Sequence, residues 1–251
     1  TGAIVYDLSK QAYVYRKNAS TALKPASNEK LPVAVTALSI LRPTYTIPTE
    51  LRARGHQSGS VWRGRLILKG YGDPSLSGSD LGRLARAVDN AGITRVTGAI
   101  LGDESFFDKV RVGPGWKASF YKDECPPLSA LIVNRGHFKG HITSRPALAA
   151  AKMLRAKLVD RGIRVDGKAR LGQAEQSTAV IATRQSPALR WLVRTMDRQS
   201  DNFYAETFTK LLGALEAGNG TTRAGARVIK KELRSRGVPM RGVVISDGSG
   251  L

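Results

Sequence analysis

The chain has 251 residues, of which 41% are apolar, and it contains 26 glycines and 11 prolines. This length and composition allow one large domain or two smaller ones with a buried core, and they exclude a disordered chain. Forty lysine and arginine residues stand against 20 aspartate and glutamate residues, a net charge of +20 that predicts attraction to polyanions such as nucleic acid, anionic lipid or acidic wall polymers.

Cys125 is the only cysteine, which excludes an intrachain disulfide and a zinc site built from paired thiolates. No apolar run reaches the length needed to cross a bilayer. The sequence carries no secretory signal and opens directly on strand-like residues, so we expect its start to be a processed or trimmed end.

The first elements predicted in chain order are two short strands, at 3–7 and 12–15, joined by a turn. A stretch rich in Val, Ala and Leu then predicts a helix over 31–41. Pro43 ends it, because proline disfavours helix in the residue before it.

The middle of the chain, residues 45–145, has a different pattern. Short β-branched runs alternate there with glycine, proline and aspartate turns, and one helix is predicted on the apolar stripe Leu81, Leu84, Ala85 and Val88. Helical stripes return after residue 146, and a last strand is predicted at 242–245. We therefore expect a helix-and-strand domain made of residues 1–44 and 146–251, interrupted by a mostly β insertion at 45–145.

Ser27 and Lys30 are the first candidates for chemistry, because residues three apart on the first turn of a helix lie on one face. A serine hydroxyl becomes a nucleophile when a nearby base takes its proton, and a lysine amine serves as that base when burial lowers its pKa. The helix N-terminus favours an oxyanion. On pattern alone, an alternative is that Ser27 caps the helix and Lys30 is solvated.

Ser200 and Asn202 are the second candidates. A serine and an amide two residues apart in a loop can point into one cleft, where the serine relays a proton and the amide holds Lys30 and a substrate carbonyl. The alternative is a turn that caps a helix beginning near Phe203.

The two patterns in this order, about 170 residues apart, resemble the class C low-molecular-mass penicillin-binding proteins, which are D-alanyl-D-alanine carboxypeptidases and endopeptidases. Further stretches carry the likeness: 72–76, 102–108, 113–116, 128–134 and 246–251. The resemblance implies an α/β (α+β) fold of the β-lactamase and DD-peptidase type, in which an antiparallel sheet is flanked by helices and interrupted by an insertion.

The resemblance also implies the chemistry. Ser27 would attack the carbonyl of the penultimate D-Ala, Lys30 would act as general base, and Ser200 and Asn202 would relay protons and bind the substrate through an acyl-enzyme. It implies peptidoglycan peptides ending in D-Ala-D-Ala and β-lactams as partners, no metal or other cofactor, no nucleic acid, and an exported, periplasmic or extracellular location. Peripheral contact with an anionic wall or membrane would suit the basic charge.

Two departures from the family pattern stand out. No Lys-Thr-Gly or Lys-Ser-Gly occurs in the sequence, so we expect a chain truncated before that motif, which binds the substrate carboxylate. Its loss is expected to cost several powers of ten in rate. Pro32 removes one helical N–H close to Lys30, which places the geometry of that turn in question.

Two other functions are open at this point. A noncatalytic wall-binding homologue fits the charge and the absent motif, and a basic nucleic-acid-binding protein fits the charge alone. A metal site at His137 and His141 is not expected, because no third ligand is nearby in sequence.

Overall fold

The computed structural model of the protein describes residues 1–120 and 124–251. The helices are α1 (Lys30–Leu41), α2 (Gly78–Asn90), α3 (Pro146–Val159), α4 (Leu189–Gln199), α5 (Asn202–Ala217) and α6 (Thr222–Ser235). The strands are β1 (Ala3–Asp7), β2 (Ala12–Lys17), β3 (Pro48–Ser58), β4 (Val61–Gly70), β5 (Arg95–Val96), β6 (Ile100–Asp103), β7 (His137–Phe138), β8 (His141–Ile142), β9 (Arg164–Val165), β10 (Ala169–Leu171) and β11 (Ala179–Gln185).

The predicted α/β class is confirmed, but the large sheet lies in the middle of the chain. Its strands run in the order β10-β6-β4-β3-β11, and β5 pairs with β4 and β9. The pairs β10/β6 and β6/β4 are parallel, whereas β4/β3 and β3/β11 are antiparallel. Near the start of the chain, the antiparallel hairpin β1–β2 confirms the two predicted strands.

Two hydrophobic cores divide the chain. The first lies among α1, α4, α5 and α6, and it also takes in side chains from 107–132, including Phe107, Trp116, Cys125 and Leu128. The second lies between the sheet and the helices α2 and α3. The sequence predicts a domain boundary at residue 145. The helix that follows it, α3, packs on β6 and β10, and the edge strand β11 of the same sheet ends at Gln185.

The start of α1 accommodates Pro32 without loss. A 3₁₀ turn at Ala26–Glu29 leads directly into α1, whose N-cap is Glu29. Pro32 is thus the third residue of the helix, where the backbone N–H of any residue would have no partner within the helix. The fixed φ of proline suits this first turn, and Lys30 lies within hydrogen-bond distance of Ser27.

The last predicted strand differs from the structure: residues 242–245 form a turn followed by irregular backbone. Gly242 has φ +74°, and Val244 is 78% exposed. The segment has no sheet neighbour among the described residues. A strand needs such a neighbour for its backbone hydrogen bonds. Within residues 1–120 and 124–251, no helix combines the length and apolarity needed to cross a membrane.

Candidate active site

Ser27 and Lys30 are brought together by the 3₁₀ turn that precedes α1. With three residues per turn, positions i and i+3 of such a turn lie directly above one another. The Nζ atom of Lys30 is 2.9 Å from the Oγ atom of Ser27. Ser27 is exposed, whereas Lys30 is only 2% exposed. The solvated lysine and capping serine of the alternative are absent, since neither helical element begins with a side-chain cap.

Ser200 and Asn202 come from the tight turn between α4 and α5. Ser200 ends α4 in the left-handed conformation, with φ +52°. Asp201 then caps α5 by accepting a 3.0 Å hydrogen bond from the N–H of Tyr204. This change of direction points both neighbours at Lys30: its Nζ lies 2.8 Å from Asn202 Oδ1 and 3.4 Å from Ser200 Oγ. The predicted cap is therefore present, and it is Asp201 that provides it.

The partners of Lys30 constrain its amine. Besides the two serine hydroxyls it contacts two oxygens that can only accept hydrogen bonds, Asn202 Oδ1 at 2.8 Å and the backbone carbonyl of Ser249 at 3.2 Å. A neutral amine has two N–H groups and one lone pair. If those two N–H groups bind the two carbonyl oxygens, the lone pair is left to face the hydroxyls. This arrangement suits a base that receives the proton of Ser27.

Burial lowers the pKa of Lys30 from its ordinary value of 10.5, because the charged form is poorly solvated. The negative charges of Asp201, Asp247 and Asp197 act in the opposite direction. The lowered pKa increases the fraction of neutral amine near neutral pH.

Two residues outside the predicted motifs lie beside this site. The thiol of Cys125 is buried, and burial raises its pKa to about 12. A hydrogen bond with Asn202 acts in the opposite direction and lowers this pKa. That thiol is consequently a poor nucleophile. Arg135 forms an ion pair of 2.6 Å with Asp201 and lies over the ring of Phe203. Neither residue sits in a recognisable pattern, and each reaches the site only through the fold.

The exposed side of Ser27 opens into a cleft of about 450 Å³. Polar side chains dominate its walls, and the lining residues are Ser27, Glu124, Arg135, Gln199, Ser200, Asp201, Asn202 and Leu251. The cleft thus presents a hydroxyl nucleophile next to hydrogen-bonding groups and one arginine.

His137 and His141 lie outside this cleft, on the facing strands β7 and β8. They are not on one helix face. Within the residues that the structure describes, no group of three or more His, Cys, Asp or Glu side chains is arranged to hold a metal ion.

The fold and the site can be compared with known proteins. A D-alanyl-D-alanine carboxypeptidase from Actinomadura sp. is 26% identical over 333 residues, covering 100% of this chain and 61% of that protein. The carboxypeptidase DacB of Mycolicibacterium smegmatis is 26% identical over 267 residues, covering 100% of this chain and 56% of that protein. The chain thus spans about three fifths of the length of these curated relatives.

Among solved structures, penicillin binding protein 4 (dacB) from Haemophilus influenzae superposes with a TM-score of 0.90 at 21% identity, over 99% of this chain and 70% of that one. The same protein in complex with a novel β-lactam gives a TM-score of 0.81. These superpositions show that the fold is shared.

The model of the D-Ala-D-Ala carboxypeptidase 3 (S13) family matches residues 1–146 and 141–251. Since these two matches together span the chain from its first residue to its last, the protein belongs to the D-Ala-D-Ala carboxypeptidase 3 (S13) family.

Proposed function

We propose that the chain forms part of a serine D-alanyl-D-alanine carboxypeptidase or endopeptidase that trims the stem peptides of peptidoglycan through an acyl-enzyme. The observation that carries this proposal is the position of Lys30. Its buried amine lies 2.9 Å from the hydroxyl of Ser27 and is held on the other side by Asn202. A nucleophile and a base within hydrogen-bond distance, with the base oriented by a third group, is the arrangement that acyl transfer by serine needs.

In the acylation step, Ser27 Oγ bonds to the carbonyl carbon of the penultimate D-Ala while its proton passes to the neutral Lys30. The C–N bond to the terminal D-Ala then breaks, and a proton is delivered to the leaving nitrogen. Ser200, 3.4 Å from Lys30 Nζ and exposed in the cleft, is the group that can pass this proton on. Water then attacks the carbonyl carbon of the Ser27 ester while Lys30 takes up its proton, the bond from that carbon to Oγ breaks, and the proton returns to Ser27 Oγ.

The substrate is held by groups that line the cleft. Asn202 donates or accepts hydrogen bonds through its amide, and the backbone N–H of Ser27, at the start of a helix, is the proposed donor to the oxyanion. A β-lactam would acylate the same hydroxyl, because its strained amide presents an equivalent carbonyl to Ser27.

The charge of +20 suits an exported protein that works beside the anionic polymers of a bacterial wall or the surface of an anionic membrane. We place the protein in the periplasm or outside the cell on this basis and on its family. The proposed reaction involves neither a metal nor nucleic acid.

A fluorescent penicillin tests the proposal. The folded full-length protein should become covalently labelled, peptide mass spectrometry should locate the label at Ser27, and Ser27→Ala should abolish it while the far-UV circular dichroism stays the same. Thr21→Ala removes an exposed hydroxyl from the segment that links β2 to the turn holding Ser27. It is the matched control, and this variant should be labelled normally. A folded full-length protein without label at Ser27 would contradict the enzymatic function.

A noncatalytic wall-binding role is the second candidate. It is favoured by one observation, the net charge of +20, which would attract the anionic polymers of a wall without any catalysis. Under this alternative, the protein would co-sediment with isolated peptidoglycan but would show no penicillin labelling.

A further inference from the structure

The residues 247–250 form a turn behind Lys30 that the proposed mechanism leaves unused. The carbonyl of Ser249 lies 3.2 Å from Lys30 Nζ. The side chain of Ser249 is completely buried, and that of Asp247 is 3% exposed. The turn therefore forms part of the wall that keeps water from the amine.

Hydrogen bonds fix the position of this turn from within. The carboxylate of Asp247 accepts the N–H of Gly250 at 2.8 Å and the hydroxyl of Ser249 at 3.1 Å. The same hydroxyl accepts a 3.1 Å hydrogen bond from the indole Nε1–H of Trp116. A chain of contacts thus runs from Trp116 through the hydroxyl of Ser249 to Asp247.

Close packing by glycines leaves this turn no room to shift. A β-carbon at Gly250, where φ is +77°, would collide with the carbonyl of Ala26, next to the nucleophile. At Gly248 it would collide with Thr209 of α5, and at Gly115 with the carbonyl of Leu251. The turn is therefore in direct contact with the nucleophile turn, with α5 and with the loop that carries Trp116.

We propose that Ser249 and Trp116 are positioning residues for the base: the indole N–H of Trp116 fixes the hydroxyl of Ser249, and the carbonyl of Ser249 then takes one N–H of the neutral Lys30 amine. Asn202 takes the other N–H, so the lone pair is directed at Ser27. This inference rests on the proposed function for its effect on rate. Its effect on Lys30 itself can be measured without any activity.

Loosening the turn would act on the pKa of Lys30 through its burial and through the charge of Asp247, and burial is the larger of the two influences. Burial is the largest influence on its pKa and lowers it, so water entering behind the amine should raise the pKa toward 10.5. Retreat of Asp247 would act the other way, as it removes one attraction. The other groups whose charges act on the amine are Asp201, Asp197 and Cys125, which lie outside the turn.

The test is a double-mutant cycle with Trp116→Phe and Ser249→Ala. Each change removes one end of the same hydrogen bond, so each should slow acylation of Ser27 by a β-lactam about tenfold. The double variant should be no slower than the slower single variant, because the two residues act through one contact. In ¹³C-lysine spectra, where Lys30→Arg identifies the resonance, the pKa of Lys30 should rise in all three variants.

Trp62→Phe is the matched control, because Nε1 of Trp62 is buried without a hydrogen-bond partner among the described residues. It should leave both readouts unchanged. Effects of Trp116→Phe and Ser249→Ala that add in the double variant, or an unchanged pKa of Lys30, would overturn the inference. If the parent protein does not label at all, the proposed function fails, while the pKa measurement still decides the positioning role.

Discussion

Two influences act on the charge of Lys30 in opposite directions. Burial favours the neutral amine, and the carboxylates of Asp201, Asp247 and Asp197 favour the ammonium ion. Asn202 is the closest partner of the amine at 2.8 Å, and its uncharged amide orients the amine without adding to the negative charge. An amide rather than a carboxylate at this position is thus a condition for a lysine base.

Asn202→Asp tests this condition with almost no change of shape. A carboxylate 2.8 Å from Nζ should raise the pKa of Lys30 and hold the amine protonated at neutral pH. We expect acylation of Ser27 by a fluorescent penicillin to slow about 100-fold at pH 7 and to recover in part as the pH is raised.

Asp197→Asn is the control for a change of charge near Lys30 that leaves its hydrogen bonds unaltered. Asp197 influences Lys30 without contacting it, so its removal should change the acylation rate by no more than about twofold. Equal rates for Asn202→Asp and the parent protein would show that Lys30 is not the base.

The four predicted site residues lie together in the structure because short-range patterns encode most of their geometry. Ser27 and Lys30 share one turn, and Ser200 and Asn202 share another. The family resemblance therefore had to supply only the contact between these two turns. Ser249 and Cys125 could not be found in this way. Ser249 acts through its backbone carbonyl, which no side-chain pattern reveals, and Cys125 reaches Asn202 only by packing in the first core.

At the scale of elements, the turn between α4 and α5 combines stability with the site. Asp201 caps α5 through its side chain and pairs with Arg135, while its neighbours on either side face Lys30. A negative charge at this end of α5 is also favourable to the helix dipole. The cap thus fixes the angle at which Ser200 and Asn202 enter the site.

Asp201→Ala should lower the free energy of unfolding by about 1–2 kcal/mol, because the N–H of Tyr204 loses its partner and Arg135 loses its counterion. Asp201→Ser keeps an oxygen for the cap and should cost less than half as much. Urea denaturation monitored by circular dichroism gives both values. If serine is as destabilising as alanine, the ion pair and not the cap is the main contribution.

Amphipathic helices were predicted more reliably than strands. The spacing of apolar residues within a single helix is enough to predict α2 and the helices α4 to α6, since each packs its own apolar face on a core. A strand depends on a neighbour that is distant in sequence. The β-branched pair Val243 and Val244 therefore suggested a strand, although the backbone there turns at Gly242 and has no strand beside it among the described residues.

At the scale of the molecule, the segment between the motifs serves both cores. Its sheet forms the second core with α2 and α3, while 107–120 and 124–132 contribute to the first core and bring Trp116 and Cys125 to the surroundings of Lys30. Composition alone placed a boundary at residue 145, where β-rich pattern gives way to helix. It could not show that α3 packs on the sheet, because a helix carries no local sign of which core its apolar face meets.

A buried group of carboxyls beneath the site makes the stability of the whole molecule depend on pH. Burial and the charge of Asp247 raise the pKa of Glu29 to about 7, and burial raises that of Glu206, whose carboxylate accepts the N–H of Gly248, to about 7 as well. In the unfolded chain both titrate near 4.5. The native state therefore holds more protons between these values, so this contribution to stability is complete below pH 4.5 and is lost as the pH rises through about 7.

Glu206→Gln isolates one of these two groups from the general effect of the net positive charge. Glutamine can still accept the N–H of Gly248, and the hydroxyl of Thr222, which donates to Glu206, can accept from the new amide instead. The free energy of unfolding of the parent protein, measured relative to this variant by urea denaturation, should fall steadily from about pH 4.5 to about pH 7 and then level off. Glu216→Gln removes the same charge at an exposed position on the last turn of α5 and is the matched control for net charge. A difference between the parent and Glu206→Gln that stays constant with pH would mean that Glu206 is ionised in the folded protein, and the turn at 247–250 would then rest on a buried negative charge.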